Sequence, residues 1–540
     1  MTKLSWSSGY QKINPWLLGL LSALFLCLCW PPLGAVVLLP LVFVPLLVAE
    51  DRWYQKGKPA ALFLLLCFLV FFVWNAYAAN WLYKTQARAA FIIFAVNALM
   101  MALPMWSYAL VKRRMGIAWG LLCWVCGYGL YEWLTQSWEL GYPLLSLSSA
   151  LAPAPFVIQW IELTGWLGAT VWVLTLNGLL FLALRSRGRS IGWSHRQRWA
   201  LLGVLLLPLG YSLVRWFSYP TAEKSMNILV LHTALDAYTV KYQLSNEDLL
   251  NRYFGLMEEH MTPEVDLVVW PESALPNGGW LEDLRINTDW DNIRSRMAQH
   301  PRAGLAMGAI FTELLQTTQL GPLSKYEHLL TLTDVGQPYF QYNAGVVLQP
   351  GDYRMAYRTK DRRVPIEETL PYPGVLGPLQ GFIGSLAGYK IAHRHTNQEV
   401  MPGPQGTFLS YVICYESLFG SINRELVAEG AEMLVVGLNE SWYENRNASM
   451  QFRWASQLRA IENRRAVVRS ANEGFSSYIS PMGQVKQELQ TAEDAAFLAQ
   501  VPIQDSFTMY TLWGNYVGWI LMALLVFIFI YPVYVKIKHK

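Results

Sequence analysis

Of the six cysteines in this 540-residue chain, Cys27, Cys29, Cys67, Cys123 and Cys126 fall inside long apolar runs. The sixth, Cys414, closes the run Leu409-Ser-Tyr-Val-Ile-Cys414-Tyr-Glu416-Ser. That run reads as a buried strand, with a helical pattern beginning just after it near Phe419. A thiol at a strand-to-helix turn stands where a helix N-terminus can lower its pKa and stabilise an anion, so nucleophilic chemistry is open to it. A buried, inert thiol is the plain alternative. Two other segments carry chemically useful groups. Asp266-Leu-Val-Val-Trp-Pro-Glu272 runs an apolar strand into Pro271 and then a carboxylate, a common place for catalytic groups in α/β domains, although a capping or solvated carboxylate would look the same. Tyr357-Arg-Thr-Lys360-Asp-Arg-Arg-Val-Pro365-Ile-Glu-Glu368 is strongly basic. By composition it is a surface run able to face anionic headgroups, and nothing in it separates Lys360 from Arg358, Arg362 or Arg363.

The elements that must position these residues lie between 220 and 508. Short apolar runs of strand length occur at 226–232, 266–270, 304–311, 327–333, 344–348, 407–413, 432–437 and 466–470. Ser245 followed by Asp248 predicts a capped helix to about His260, and 419–429 and 449–464 repeat apolar residues at helical spacing. The segment is an α/β domain of roughly 290 residues, large enough to bury a core. Irregular stretches at 275–290, 352–389 and 392–406 contain Trp280, Trp290, Tyr372, Phe382 and Ile383. Such loops would suit lids dipping toward lipid, or their aromatics pack on the domain itself.

The rest of the chain is apolar. Hydrophobic residues make up 53% and charged residues only 15%, well below the usual quarter for soluble domains. Runs able to cross a hydrocarbon core of about 30 Å occur near 14–30, 33–49, 59–79, 89–111, 116–135, 160–183, 199–217 and 511–535. The first is read as a retained span, because no small-residue cleavage site follows it. The chain is therefore expected to divide into a seven-helix membrane domain (1–219), an extracytoplasmic domain (220–508), and a last span with a cytoplasmic tail (509–540). Basic residues in the loops 51–58, 112–114 and 185–198 and in the tail 536–540 set that orientation, while 136–159 has none; Lys84 and Arg88 are a mild exception. The net charge of +4 names no partner, and no nucleic acid is expected. In an oxidising compartment Cys414 has no disulfide partner in its own domain.

Taken together, Glu272, Lys360 and Cys414 resemble the Glu-Lys-Cys triad of the nitrilase superfamily. Val-Val-Trp-Pro-Glu-Ser, a Lys five residues before the Pro of Val-Pro, a Glu three residues after that Pro, and Cys-Tyr-Glu resemble the apolipoprotein N-acyltransferases. So does Leu458-Arg-Ala-Ile-Glu-Asn-Arg-Arg-Ala-Val-Val-Arg-Ser-Ala-Asn472-Glu-Gly474. With the arrangement of spans, the resemblance covers nearly the whole chain. Three positions depart from the family pattern: Glu367 stands where Gly usually precedes the loop Glu, Asn439-Glu440-Ser-Trp442 replaces the common Asn-Asp, and Tyr242 stands where Trp is frequent. These could shift lipid preference or loop geometry.

The resemblance implies about eight spans plus a nitrilase-like αββα sandwich, in a bacterial inner-membrane enzyme with a periplasmic catalytic domain. It implies a donor phospholipid, the sn-1 chain of phosphatidylethanolamine, and as acceptor the α-amino group of a lipoprotein's N-terminal diacylglyceryl-Cys. Cys414 would carry the acyl chain as a thioester, with Glu272 as general base and Lys360 stabilising the oxyanion. Glu368 and Glu416 would orient Lys360 and the thiol, Tyr415 would line the acyl site, and Tyr242 and Trp442 would contact substrate. No cofactor or metal is expected; His393-x-His395 lacks a neighbouring Cys or carboxylate cluster. A membrane-tethered nitrilase-type amidohydrolase is the competing enzyme. A transporter or sensor is disfavoured, because only Glu132 and Glu162 are acidic within the spans, both near span edges.

Overall fold

The computed structural model describes residues 13–139, 141–187, 194–220, 222–315, 331–351, 353–365, 367–369, 372, 374, 392 and 399–538. Its contacts divide the chain into two compact units, residues 1–83, 90–219 and 513–540 in one and residues 84–89 and 220–512 in the other.

The first unit is helical: α1 (Pro15–Leu28), α2 (Val44–Gln55), α3 (Ala60–Ala78), α4 (Leu82–Met115), α5 (Ile117–Leu134), α6 (Ile161–Arg187), α7 (His195–Ser218) and a C-terminal helix, Tyr516–Lys538. Among the described residues, four helical stretches are long and apolar enough to cross a membrane: Ala60–Ala78, Ala90–Met115, Ile161–Ser186 and His195–Ser218. Eight were expected, and the difference has local causes. The stretch 33–49 is not one helix. It forms a 3-10 turn, Val36–Leu41, broken from α2 at Val42–Phe43; Pro40 and Pro45 remove backbone donors there. Asn177 of α6 repairs the break, accepting from Phe43 N (2.8 Å) and donating to Leu39 O (2.8 Å). Non-helical backbone at membrane depth is tolerated only when satisfied in this way by protein. α1 is only 14 residues long, and α5, at 18, carries Tyr128, Tyr131, three glycines and Glu132.

Residue 51, expected to open a basic loop, lies within α2. Glu50 and Asp51 are buried and paired with Lys112, and Asp51 also binds Arg185 (3.1 Å). The carboxylates toward the other ends of the helices are likewise occupied. Glu132 accepts from Ser146 Oγ (2.7 Å), Leu147 N (2.9 Å) and Thr170 Oγ1 (2.6 Å), while Glu162 binds Arg215 (2.7 Å) and Tyr211 (2.5 Å). Each has its charge satisfied by named donors.

The second unit is a two-sheet sandwich. Its strands are β1 (Lys224–His232), β2 (Leu267–Val269), β3 (Gly304–Leu314), β4 (Thr331–Leu332), β5 (Pro338–Leu348), β6 (Met355–Thr359), β7 (Met401–Pro402), β8 (Phe408–Ile413), β9 (Met433–Asn439), β10 (Ala466–Asn472), β11 (Ser476–Ile479), β12 (Val485–Leu489) and β13 (Ala495–Ile503). One sheet runs β13-β1-β2-β3-β5-β4, with β6 paired to β5; the other runs β12-β11-β10-β9-β8-β7. Helices α8 (Asn246–His260) and α9 (Thr288–Met297) follow strands of the first sheet, and α10 (Gly420–Ala428) and α11 (Arg446–Asn463) those of the second. Alternation along the strands explains the layering. Leu229, Leu231, Val268, Leu305, Met307 and Ala309 form one core with Leu249, Tyr253, Phe254 and Met257 of α8 and Trp290 and Ile293 of α9. The intervening Ile228, Val230, Leu267, Val269 and Ala306 are also fully buried, as a sheet covered on both faces requires.

Strand direction matters most for the site. β1, β2 and β3 are mutually parallel, β5 is antiparallel to β3, and β6 is antiparallel to β5, so β6 again runs with β2. β8, β9 and β10 are parallel, and a parallel bridge between Thr233 and Asn472 aligns the two sheets. The carboxyl ends of β2, β6 and β8 therefore share one end of the sandwich. The stretch 275–290 is not a lid: Trp290 is fully buried against Phe311 with Nε1 donating to Gly278 O (2.8 Å), and Trp280 packs edge-on to Tyr339. Phe382, Ile383, His393, His395 and most of the strand expected at 327–333 lie outside the described residues.

Candidate active site

Glu272, Lys360 and Cys414 each follow the end of one of those strands: Glu272 three residues past β2, Lys360 directly after β6, and Cys414 directly after β8. The topology brings them into a single buried cluster. Lys360 Nζ lies 2.8 Å from Glu368 Oε1 and 3.4 Å from Glu272 Oε1. Asn343 Nδ2 donates to the same Glu272 oxygen at 2.8 Å. Asn343 and Lys360 face each other across β5 and β6, linked by Lys360 N to Asn343 O (2.8 Å), so one rung of the ladder presents both donors to the carboxylate. Glu368 Oε2 accepts from Val364 N at 2.7 Å, which ties its loop to the same point.

The backbone carrying Glu272 is clamped from several sides. Tyr411 Oη donates to Trp270 O (2.8 Å), Gly308 N to Pro271 O (3.2 Å), and Lys241 Nζ to Glu272 O (2.8 Å). Ser273, next in the chain, has a left-handed φ of 48°, a conformation that costs a non-glycine residue about 1–3 kcal/mol and persists only when its surroundings impose it. Cys414 has the same feature, φ 46°, as the first residue of the 3-10 turn Cys414–Leu418. A helix terminus was expected to lower the thiol pKa, but burial dominates and pushes it well up; Glu272 adds to the rise and Lys360 opposes it. Burial thus favours the neutral form of the thiol. Burial also works against the charge of Lys360, yet Glu368 and Glu272 more than offset it, and its pKa is raised. Lys360 is a permanent cation.

Glu416 does not touch the Lys360 ammonium. It accepts from Arg358 Nη1 (2.7 Å), Ile413 N (2.9 Å) and Asp361 N (2.6 Å), joining the backbone before Cys414 to the backbone after Lys360. Burial alone would raise its pKa, but Arg358 and the two backbone donors hold it below the ordinary value. Arg358 is therefore no surface residue. It is buried, paired also with Glu399 at 2.9 Å, whereas Arg362 is part-exposed. Tyr415 is buried edge-on to Phe419. Tyr242 stacks on Trp442 with ring centroids 5.4 Å apart, and Tyr238 meets Trp442 edge-on. Asn439 Nδ2 reaches Tyr242 Oη (3.2 Å) and its Oδ1 accepts from Asn472 Nδ2 (2.8 Å), so a polar seam between the sheets supports the aromatic pair. Glu440 is buried against Arg469 (2.9 Å) and Phe475 N (3.0 Å), which makes it a support of the 473–475 turn. Among the described residues, no group of three His, Cys, Asp or Glu could hold a metal ion.

Three site residues escaped the sequence reading: Lys241, Asn343 and Tyr411. Asn343 left a trace, a polar residue inside an otherwise apolar strand (Tyr-Asn-Ala-Gly-Val-Val). Lys241 and Tyr411 left none, because their roles depend on contacts with segments 31 and 141 residues away.

Residues 237–506 match the carbon–nitrogen hydrolase family, so the sandwich and its cluster define an enzyme domain of that class. Residues 22–179 match the N-terminal domain of apolipoprotein N-acyltransferase. The chain is 26% identical over 517 residues to the apolipoprotein N-acyltransferase of Chlorobaculum tepidum, covering 92% of each, and 25% identical over 413 residues to that of Thermotoga maritima, covering 74% of this chain and 69% of the relative. Among solved structures, an amidase from Nesterenkonia sp. aligns at 16% identity with a TM-score of 0.34, covering 54% of this chain and 95% of the amidase. The chain belongs to the apolipoprotein N-acyltransferases, acyltransferases built on a carbon–nitrogen hydrolase domain.

Proposed function

We propose that Cys414 carries a fatty acyl chain between a phospholipid and the N-terminal amine of a diacylated apolipoprotein, with Glu272 as general base and Lys360 as the oxyanion's cation. The observation that carries this reading is the buried group of Glu272, Lys360, Glu368 and Cys414, electrostatically coupled at one end of the sandwich. As Cys414 Sγ attacks the ester carbonyl, its proton passes to Glu272, the base that a thiol kept neutral by burial requires. Lys360, held by Glu368, stabilises the tetrahedral oxyanion, a contribution of about 3 kcal/mol for a well-placed donor. The C–O bond breaks, the proton on Glu272 passes to the departing alcohol, and a thioester remains. The acceptor amine then attacks, Glu272 takes its proton, and the proton returns to sulfur as the C–S bond breaks. Cys414 is thereby regenerated.

The donor is a phospholipid, phosphatidylethanolamine in particular, and Tyr242, Trp442 and Tyr415 contact the lipid substrates. Residues 1–219 and 509–540 anchor the chain in a bacterial inner membrane through eight crossings, several of them short or broken, and residues 220–508 lie on the periplasmic side. The excess of Lys and Arg in the loops assigned to the cytoplasm supports that orientation, and a site tethered at the bilayer would meet two anchored substrates at high local concentration. The test is purified protein incubated with phosphatidylethanolamine vesicles and a diacylated lipopeptide. The expected product is the N-acylated lipopeptide. Free fatty acid as the only product would instead favour an amidohydrolase-like enzyme and end the transferase reading.

A further inference from the structure

The cluster contains a second buried lysine that the three-residue mechanism does not use. We infer that Lys241 is a positioning residue of this site, whose ammonium fixes the Glu272 backbone and supplies a second buried positive charge beside Lys360. The inference rests on the acyl-transfer reading of Glu272, Lys360 and Cys414, and extends it to a residue outside the triad.

Lys241 is fully buried, and its Nζ donates to the main-chain carbonyl of Glu272 at 2.8 Å. The bond falls on a closely held peptide: Glu272 is followed by the left-handed Ser273, and two residues before it Tyr411 holds the carbonyl of Trp270. Lys241 is itself held, since Lys241 N donates to Asp236 O (2.8 Å) and the Asp236 carboxylate accepts from Tyr238 N and Thr239 N. The next residue, Tyr242, stacks on Trp442. One short segment therefore joins the aromatic pair to the base.

A neutral side chain could satisfy a carbonyl, and burying an ammonium is far more costly than burying an amide. The charge is what Lys241 adds. The groups facing one another here are the carboxylates of Glu272 and Glu368, the ammonium of Lys360 and the thiol of Cys414. With Lys360 alone, two carboxylates leave the cluster net negative before any thiolate or oxyanion forms. With Lys241 charged, the cluster is balanced, and negative charge developing at sulfur and carbonyl oxygen is stabilised. Burial lowers Lys241 to about 7, although Glu272 and Cys414 pull it upward. Its charge is thus one that ordinary pH can remove, unlike that of Lys360.

The test compares the full-length wild-type protein with Lys241→Met, Lys241→Gln and Lys241→Arg in detergent containing phosphatidylethanolamine. Single-turnover acylation of Cys414 is followed by intact mass from pH 6 to 9, with thermal unfolding alongside. K241M is expected to slow thioester formation tenfold or more at pH 6.5, with the lipid concentration for half-maximal rate changed less than twofold. K241Q keeps a donor for the carbonyl but no charge, so its deficit should be several-fold at pH 6.5 and shrink toward none above pH 8. K241R should restore most of the rate. A deficit in K241Q that is absent or the same at every pH would overturn the inference, because a purely structural bond is indifferent to the charge. If K241M fails to fold, K241Q and K241R carry the comparison. Absence of a thioester in the wild-type protein would overturn the triad reading itself, a result distinguishable from normal acylation in the variants.

Discussion

Gly308 on β3 passes directly beneath Glu272, the proposed general base, and adding one methyl group there tests whether Glu272 is positioned by the sandwich. A Cβ on Gly308 would lie 2.4 Å from Ser273 N and 2.7 Å from Glu272 Cα, where ordinary contact begins near 3.4 Å. Backbone on both sides would have to separate by 1.0 Å, the difference between 3.4 and 2.4 Å. β3 cannot retreat, because it is bonded to β2 on one side and to eleven-residue β5 on the other. The shift therefore falls on the Pro271–Ser273 loop and moves Glu272 relative to Asn343 and Lys360. A misplacement of about 1 Å costs on the order of 10²-fold in rate, while overpacking a core position costs about 1–3 kcal/mol of stability. Gly308→Ala is thus expected to fold, with an unfolding midpoint a few degrees lower, and to acylate Cys414 about a hundredfold more slowly. The assay is single-turnover acylation by intact mass beside a thermal melt. Wild-type acylation in a folded Gly308→Ala protein would refute the claim that β3 sets the position of the base.

Two further outcomes follow from the ion pairs. Glu368→Gln removes the carboxylate that holds Lys360 at 2.8 Å; a hydrogen bond to a charged group is worth about 1.5–3 kcal/mol, so acylation measured in the same way should fall roughly ten- to a hundredfold, with a lower melting temperature as well, because Lys360 stays buried and loses a carboxylate partner. Arg358→Met strands the buried Glu416 carboxylate and should cost about 3–5 kcal/mol in denaturant unfolding. Because the folded pKa of Glu416 lies below its unfolded value, its contribution is complete above the ordinary carboxylate range and is lost as pH falls through the folded value. The deficit of Arg358→Met should accordingly be largest near neutral pH and shrink in acid, and a pH-independent deficit would contradict the pairing.

Local pattern carried β1, β2, β3, β5, β8, β9 and β10 of the α/β domain, each a short apolar run between turn residues, but not β6, β7 or β11 to β13. Ser245, which accepts from Asp248 N at 3.1 Å, marked the helix it caps. Strand β6 escaped because Met355–Thr359 has only five residues, one of them an arginine; it is held in place by pairing with β5 and by the Arg358–Glu416 bond. Arg358 itself looked like a surface cation, since burial of a guanidinium becomes favourable only once a carboxylate 58 residues away folds against it. Hydropathy likewise shows where apolar residues concentrate but not whether their backbone is continuous. The break at Val42–Phe43 depends on Asn177, whose partners are 134 and 138 residues distant. Cys414 could be placed at a strand end from sequence, while the direction of its pKa shift reflects burial by the whole sandwich.

The central claim is that Cys414 carries an acyl group, and intact mass spectrometry of the full-length protein after incubation with phosphatidylethanolamine addresses it most directly. The predicted result is a mass gain of one acyl chain, localised to Cys414, absent from Cys414→Ser, and discharged when a diacylated lipopeptide with a free amine is added. An unmodified Cys414 in protein that nevertheless N-acylates the lipopeptide would contradict the account.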